Sequence, residues 1–91
     1  MEKQSCVYIL ECRDGSLYTG WTTDIENRLS AHNSGAGAKY TRGRGPVKLV
    51  YIEYLPDRSA ALRREASIKK LSREKKLLLI ASNPVQENQR L

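Results

Sequence analysis

Three groups of side chains in this chain of 91 residues have types and spacings that could do chemistry. The first is Glu65. Around it Ala61, Leu62, Ile68 and Leu71 recur at helical spacing and trace a stripe expected to face the core, and Glu65 interrupts that stripe. Burying a lone charge is expensive, so this carboxylate should either pair with Arg28 or another cation, or hold a metal ion. The second group is Tyr8 and Tyr18, interleaved with apolar strand formers and followed by Gly20. Tyrosine in a strand is also an ordinary half-buried packing residue. The third is Arg28 with His32, which stack one above the other on a helix because residues four apart are neighbours there. An arginine can hold a phosphate through two parallel hydrogen bonds, although exposed Arg and His at this spacing are often idle.

The elements that must position these groups can be read from the punctuation of the chain. Cys6 to Cys12 is rich in β-formers, Arg13-Asp14-Gly15 carries turn chemistry, and Leu17 to Trp21 is β-like again, which together predict a hairpin. A three-residue connection with Gly15 in the left-handed conformation sets residue 10 opposite 18 and residue 8 opposite 20, so that Tyr8 and Tyr18 share a face. A two-residue connection would invert the pattern and separate them. Thr23-Asp24-Ile25-Glu26 matches a capping box led by the threonine, predicting a helix from Asp24 to about Asn33 with Ile25 and Leu29 as its buried stripe. Ser34 to Pro46, rich in glycine and basic residues, reads as a mobile surface loop. Val47 to Leu55 is a third strand, apolar enough to be central. Asp57 or Ser59 caps a second helix from about Arg58 to Ser72, and a last helical segment runs from about Arg73 to Ala81. The order β-β-α-β-α-α predicts a small α/β or α+β fold, a three-stranded antiparallel or mixed sheet flanked by helices.

Composition narrows the chemistry further. At this length one compact domain is expected, spanning 1–91 with its core at about 6–84. Cys6 and Cys12 would lie roughly 20 Å apart on one strand, too far for a disulfide. With two cysteines and one histidine there is no constellation for structural zinc, so any catalytic metal must take oxygen ligands. Residues 1–5 are polar and the longest apolar run, Leu77 to Ala81, is too short to span a bilayer, so a cytoplasmic protein without membrane attachment is expected. The formal charge of +6 is uneven. Residues 1–26 carry five acids and two bases, whereas residues 27–52 carry Arg28, Lys39, Arg42, Arg44 and Lys48 with no acid. Residues 58–76 add eight basic side chains against Glu65 and Glu74. Clustered positive charge of this kind attracts a phosphate backbone, and it is equally what a solvated helix face looks like.

Taken together the groups resemble a known pattern. Val7-Tyr8-Ile9 followed by Tyr18-Thr19-Gly20 is similar to the paired motif of the GIY-YIG nuclease superfamily. An arginine on the first helix followed by a histidine-asparagine pair, here Arg28 and His32-Asn33, and a glutamate on the later helix, here Glu65, extend the resemblance. The segment from Ala61 to Leu71 and the pair Asn83-Pro84 resemble the small, stand-alone bacterial members. The likeness covers about Val7 to Pro84. Val7 and Thr19 depart from the motif at scaffold positions, and Trp21 stands where several members place a lysine, leaving His32 as the nearest substitute cation.

The resemblance implies hydrolysis of phosphodiester bonds of nucleic acid, DNA in the first instance, around one Mg²⁺ or Mn²⁺ held by Glu65. Arg28 would neutralise the non-bridging oxygens. Tyr8, its pKa lowered from about 10 by a nearby cation, would be the general base; Tyr18 would orient water or phosphate; His32 would assist proton transfer or bind phosphate. The base remains open among these three. Gly20 would leave room for the sugar-phosphate chain. Lys39, Arg42, Arg44, Arg63, Lys69 and Lys70 would supply backbone contacts. Two rivals stand beside this reading: a nucleic-acid-binding module without turnover, which predicts that removing Glu65 changes nothing, and a nuclease active only with a protein partner that directs it to substrate. A third, a basic RNA-associated protein, predicts binding without divalent ion.

Overall fold

Strand β1 (Cys6–Glu11) is apolar on both faces, with Val7 and Ile9 on one and Tyr8 and Leu10 on the other, all at most 1% exposed. A strand of that pattern must be covered from both sides, and β1 takes the centre of a three-stranded sheet ordered β2-β1-β3. In this computed structural model, which describes residues 4–35, 37, 41 and 43–83, β2 (Leu17–Thr22) and β3 (Lys48–Tyr54) both pair antiparallel to β1. The expectation that β3 is central is therefore overturned. It ends in exposed Lys48 and Tyr54, and only β1 offers a buried side chain at every interior position. The sequence order, β1, β2, α1 (Ile25–Asn33), β3, α2 (Arg58–Lys69), α3 (Arg73–Ser82), is the one expected.

The hairpin has the three-residue connection. Cys12 N donates to Ser16 O at 2.8 Å, and Gly15 sits at φ +85°, a region that residues with a Cβ avoid. Tyr8 consequently faces Gly20 and Leu10 faces Tyr18, which puts both tyrosines on one side of the sheet. The two sides carry separate cores. Val7, Ile9 and Tyr51 pack with Ala61 and Ile68 of α2 and with Leu79 and Ile80 of α3. Tyr8, Leu10, Cys12, Val47 and Leu49 pack with Ile25 and Leu29 of α1. A register irregularity in the β1–β3 ladder between Ile9 and Leu10 lets Tyr51 join the first core and Leu49 the second. Both cysteines are free and buried.

Several helix boundaries differ from expectation, each for a capping reason. Asp24, not Thr23, caps α1: its side chain accepts from Asn27 N at 3.3 Å, while Thr22 Oγ1 accepts from Asp24 N. Asp57 caps α2, accepting from Ala60 N at 2.8 Å. That helix stops at Lys69 because Ser72 is taken as the cap of α3, accepting from Lys75 N. Leu62, expected in the core stripe of α2, is 39% exposed; Ala61 and Ile68 carry that face. The segment from Ser34 to Pro46 is not simply a surface loop, since Thr41 within it is 1% exposed. Among the described residues no helix is long and apolar enough to cross a membrane.

Candidate active site

The hairpin register delivers Tyr8 and Tyr18 to the sheet face covered by α1, and the helical spacing of Arg28 and His32 points both toward the same place. Arg28 Nε donates to Tyr8 Oη at 3.4 Å. The same oxygen lies 3.1 Å from His32 Nε2, and His32 Nδ1 lies 2.8 Å from Thr41 Oγ1. Tyr18 completes the cluster, its ring centroid 6.4 Å from that of Tyr8 and 5.2 Å from that of His32. Four of the residues singled out by sequence are thus brought into one constellation from two strands and one helix.

Its electrostatics follow from burial. Tyr8, His32 and Thr41 are each about 1% exposed, so the charged forms of Tyr8 and His32 lose solvation. Burial pushes the Tyr8 hydroxyl up to about 12, overriding the hydrogen bond and charge of Arg28, which pull it down. The expectation that a neighbouring cation leaves Tyr8 with a lowered pKa is thereby corrected: the cation is present, and desolvation wins. Burial, and then the charge of Arg28, hold His32 down at about 4. The imidazole is therefore neutral at pH 7 and is not a substitute cation. Arg28 is held above its ordinary value, first by its hydrogen bond to Tyr8. Among the described residues that touch Tyr8 it is the positive charge.

Gly20 has a different use from the one expected. A Cβ at that position would lie 2.6 Å from Tyr8 Oη and 2.8 Å from Cζ, so the room beside Gly20 is filled by the Tyr8 ring rather than kept for substrate. Gly37 has the same relation to His32, since a Cβ there would collide with the imidazole. Trp21 pairs with Val7 and therefore points to the opposite face, where the Arg58 guanidinium lies 5.5 Å from its ring centroid. A cation at position 21 would start from the wrong side of the sheet to meet the tyrosines directly.

With this geometry in place, comparison with known proteins is informative. Residues 4–77 match the GIY-YIG catalytic domain. The chain belongs to the GIY-YIG family. A UPF0213 protein of Clostridium perfringens is 60% identical over 81 residues, covering 89% of this chain and 87% of the relative. One from Haloquadratum walsbyi is 64% identical over 70 residues, 77% of this chain and 79% of the relative. The solution NMR structure of a UPF0213 protein from Bacillus halodurans is similar at a TM-score of 0.60 and 49% identity, covering 94% of this chain and 90% of that one. A second solution NMR structure, of a protein from E. faecalis, gives 0.61 at 45% identity, with 90% of each chain covered.

Other residues expected at this GIY-YIG site have described contacts or surroundings of their own. Glu65 projects from α2, the helix packed with the Val7 and Ile9 face, and its side chain is 17% exposed. Its described partner is Lys69 Nζ at 3.4 Å, not Arg28. Among the described residues no group of three or more His, Cys, Asp or Glu side chains could hold a metal. Mg²⁺ does not require one, because it keeps several waters and is commonly bound through one or two carboxylates and a substrate phosphate. A single, loosely paired carboxylate fits that ion and not a zinc-type cage. Arg44 is tied to Asp14 at 2.7 Å, Arg63 donates to Ser59 Oγ at 2.9 Å, and Lys70 is exposed. Lys39 and Arg42 lie outside the described residues. Sequence reasoning missed Thr41 and Gly37. Neither sits on a periodic element, and the one signal for them is that a buried imidazole needs a partner for its second nitrogen.

Proposed function

We propose that this GIY-YIG protein is a cytoplasmic endonuclease that hydrolyses phosphodiester bonds of DNA with the help of one divalent ion, Mg²⁺ or Mn²⁺. The observation that carries the reading is the convergence of Tyr8, Tyr18, Arg28 and His32 within hydrogen-bonding and ring-contact distance on one face of the sheet. Such a set offers what backbone hydrolysis needs from a protein: a fixed cation for the phosphoryl oxygens and a path for a proton.

Arg28 binds the phosphate, and its charge is available because its partners in the cluster, Tyr8 and Tyr18, are phenols and not carboxylates. The proton path runs from Tyr8 to His32. A neutral imidazole has one acceptor nitrogen, and with the phenol donating to Nε2 the proton sits on Nδ1 and is donated to Thr41 Oγ1. Tyr8 takes the proton of the attacking water while passing its own to His32. Burial is the larger cause that holds His32 down; a phosphate at Arg28 offsets the second, the Arg28 charge, so proton acceptance becomes easier as substrate arrives. Tyr18, at the edge of the cluster, orients water or phosphate. Glu65 is the residue that would hold the ion, which when bound supplies positive charge against the reacting phosphate. Lys39, Arg42, Arg63, Lys69 and Lys70 contribute contacts to the nucleic-acid backbone, and a protein partner directs the domain to its substrate.

The test is cleavage of labelled single-stranded, duplex and branched DNA and RNA, with Mg²⁺ or Mn²⁺ and with chelator, by wild type, Glu65→Ala and Tyr8→Phe. Metal-dependent cleavage abolished in both variants is the expected result. Tight, salt-sensitive binding with no cleavage of any substrate would make the protein a binding module.

A further inference from the structure

A buried neutral imidazole has one N–H and one lone pair, and what each ring nitrogen meets decides which of them carries the proton. In His32 the nitrogen facing the cluster is Nε2, 3.1 Å from Tyr8 Oη. That phenol oxygen also accepts from Arg28 Nε, and Arg28 and His32 are its hydrogen-bonding partners among the described residues. If Nε2 donated as well, two N–H groups would aim at one oxygen and the phenol's own proton would need a further acceptor in a residue that is 1% exposed. The opposite polarity satisfies every group: Tyr8 donates to Nε2, and the ring proton sits on Nδ1. A buried N–H at Nδ1 is costly without an acceptor, and Thr41 Oγ1 lies 2.8 Å from it.

Thr41 is nine residues beyond His32 and is held from a different element. Arg44 N donates to Thr41 O at 3.1 Å, Arg13 N in the hairpin connection donates to Arg44 O at 2.8 Å, and Arg44 pairs with Asp14 at 2.7 Å. Gly37 lies against the same side of the ring, where a Cβ would collide with Nδ1 and Cα of His32. The imidazole is about 1% exposed, which keeps bulk water from standing in for the threonine. We propose that Thr41 is a positioning residue of the proton path: its hydroxyl oxygen holds His32 as the tautomer protonated on Nδ1, leaving Nε2 to accept from Tyr8. In the transfer the Tyr8 proton moves to Nε2 while the Nδ1 proton stays on the ring, so the imidazolium goes on donating to Thr41. The inference rests on the nuclease reading only for what that transfer serves.

The experiment reads the tautomer directly. In protein labelled with a heavy nitrogen isotope, long-range proton–nitrogen correlations of the one histidine distinguish Nδ1–H from Nε2–H at neutral pH. Wild type is expected as Nδ1–H, and this arm requires no variant to fold. Thr41→Val keeps the shape and removes the oxygen. Its imidazole should shift toward Nε2–H, with kcat for cleavage lowered about tenfold and KM unchanged, the scale of one hydrogen bond. Thr41→Ser should restore both tautomer and kcat although it packs less well than valine, which separates positioning from packing. A wild-type imidazole protonated on Nε2, a wild-type tautomer in Thr41→Val, or no rescue by Thr41→Ser would overturn the proposal. Wild-type kcat in Thr41→Val would also overturn it, and would leave the nuclease standing. A tautomer that follows the hydroxyl in a protein that cleaves no substrate would keep Thr41 in its role toward His32 and end the nuclease reading.

Discussion

Tyr8 Oη and His32 Nε2 lie 3.1 Å apart inside the fold, and each of these two residues is about 1% exposed. Neither polar group has water to fall back on, so each is the other's solvent. Tyr8→Phe keeps the ring that fills the space beside Gly20 and removes only the oxygen. It should lower metal-dependent cleavage by about a hundredfold or more, the usual scale for a lost group in a pre-organised site. Stability should fall by about 1–3 kcal/mol, since the imidazole nitrogen loses its partner. Nicked-product formation and urea unfolding of the same preparation measure the two effects separately.

The sequence contains one histidine, so its titration can be followed without assignment ambiguity. The His32 imidazole should protonate near pH 4 rather than near 6.5. A group depressed in the folded state is stabilising above its unfolded pKa, and that stability drains away as pH falls from about 6.5 toward 4, because the unfolded chain takes up the proton first. Tyr8 acts at the other end: raised from 10 to about 12, it contributes stability below pH 10 that is lost as pH climbs through that interval. An imidazole resonance titrating near 6.5 would contradict the buried, neutral assignment.

Gly20→Ala should damage both fold and activity. The added methyl would sit 2.6 Å from Tyr8 Oη and 3.1 Å from Tyr18 Cε2, so one or both tyrosine rings must move. Overpacking of this kind costs about 1–3 kcal/mol. Where movement of the rings relieves the burial that holds His32 down, its pKa should return upward toward its ordinary value.

Glu65→Ala should separate function from stability. The carboxylate's described partner is an i,i+4 lysine at 3.4 Å whose side chain is 52% exposed, an interaction usually measured at about 0.3–0.5 kcal/mol. Thermal unfolding should therefore be nearly unchanged while metal-dependent cleavage disappears. A large loss of stability would show that Glu65 serves the fold instead.

Thr19 stands where the GIY-YIG motif has isoleucine. Its hydroxyl is buried and has no hydrogen-bond partner among the described residues, and the residue is 3% exposed. Thr19→Val keeps the shape and removes the stranded hydroxyl, so it should stabilise the protein by about 1 kcal/mol. Chemical denaturation midpoints at constant slope test this. No change in cleavage is expected, because residue 19 faces away from Tyr8.

Much of the scaffold was legible in residue order because it depends on local chemistry. Arg13-Asp14-Gly15 chooses the hairpin connection, the connection sets the register, and the register places Tyr8 and Tyr18 together. Asp57 and the helical spacing of Ala61 and Ile68 likewise announce α2. What the linear chain did not disclose depends on partners distant in sequence. Which strand is central was settled by burial on both faces of β1, a property of the packed sheet and not of strand propensity. Whether Gly20 makes room for substrate or for Tyr8 was settled by the direction of one ring across the ladder. The pKa of Tyr8 turned on a contest between a neighbouring cation and desolvation, and only the enclosure of the phenol beside Gly20, Tyr18 and His32 decided that desolvation prevails. Short-range geometry is written in neighbouring residues; burial is a sum over the whole fold.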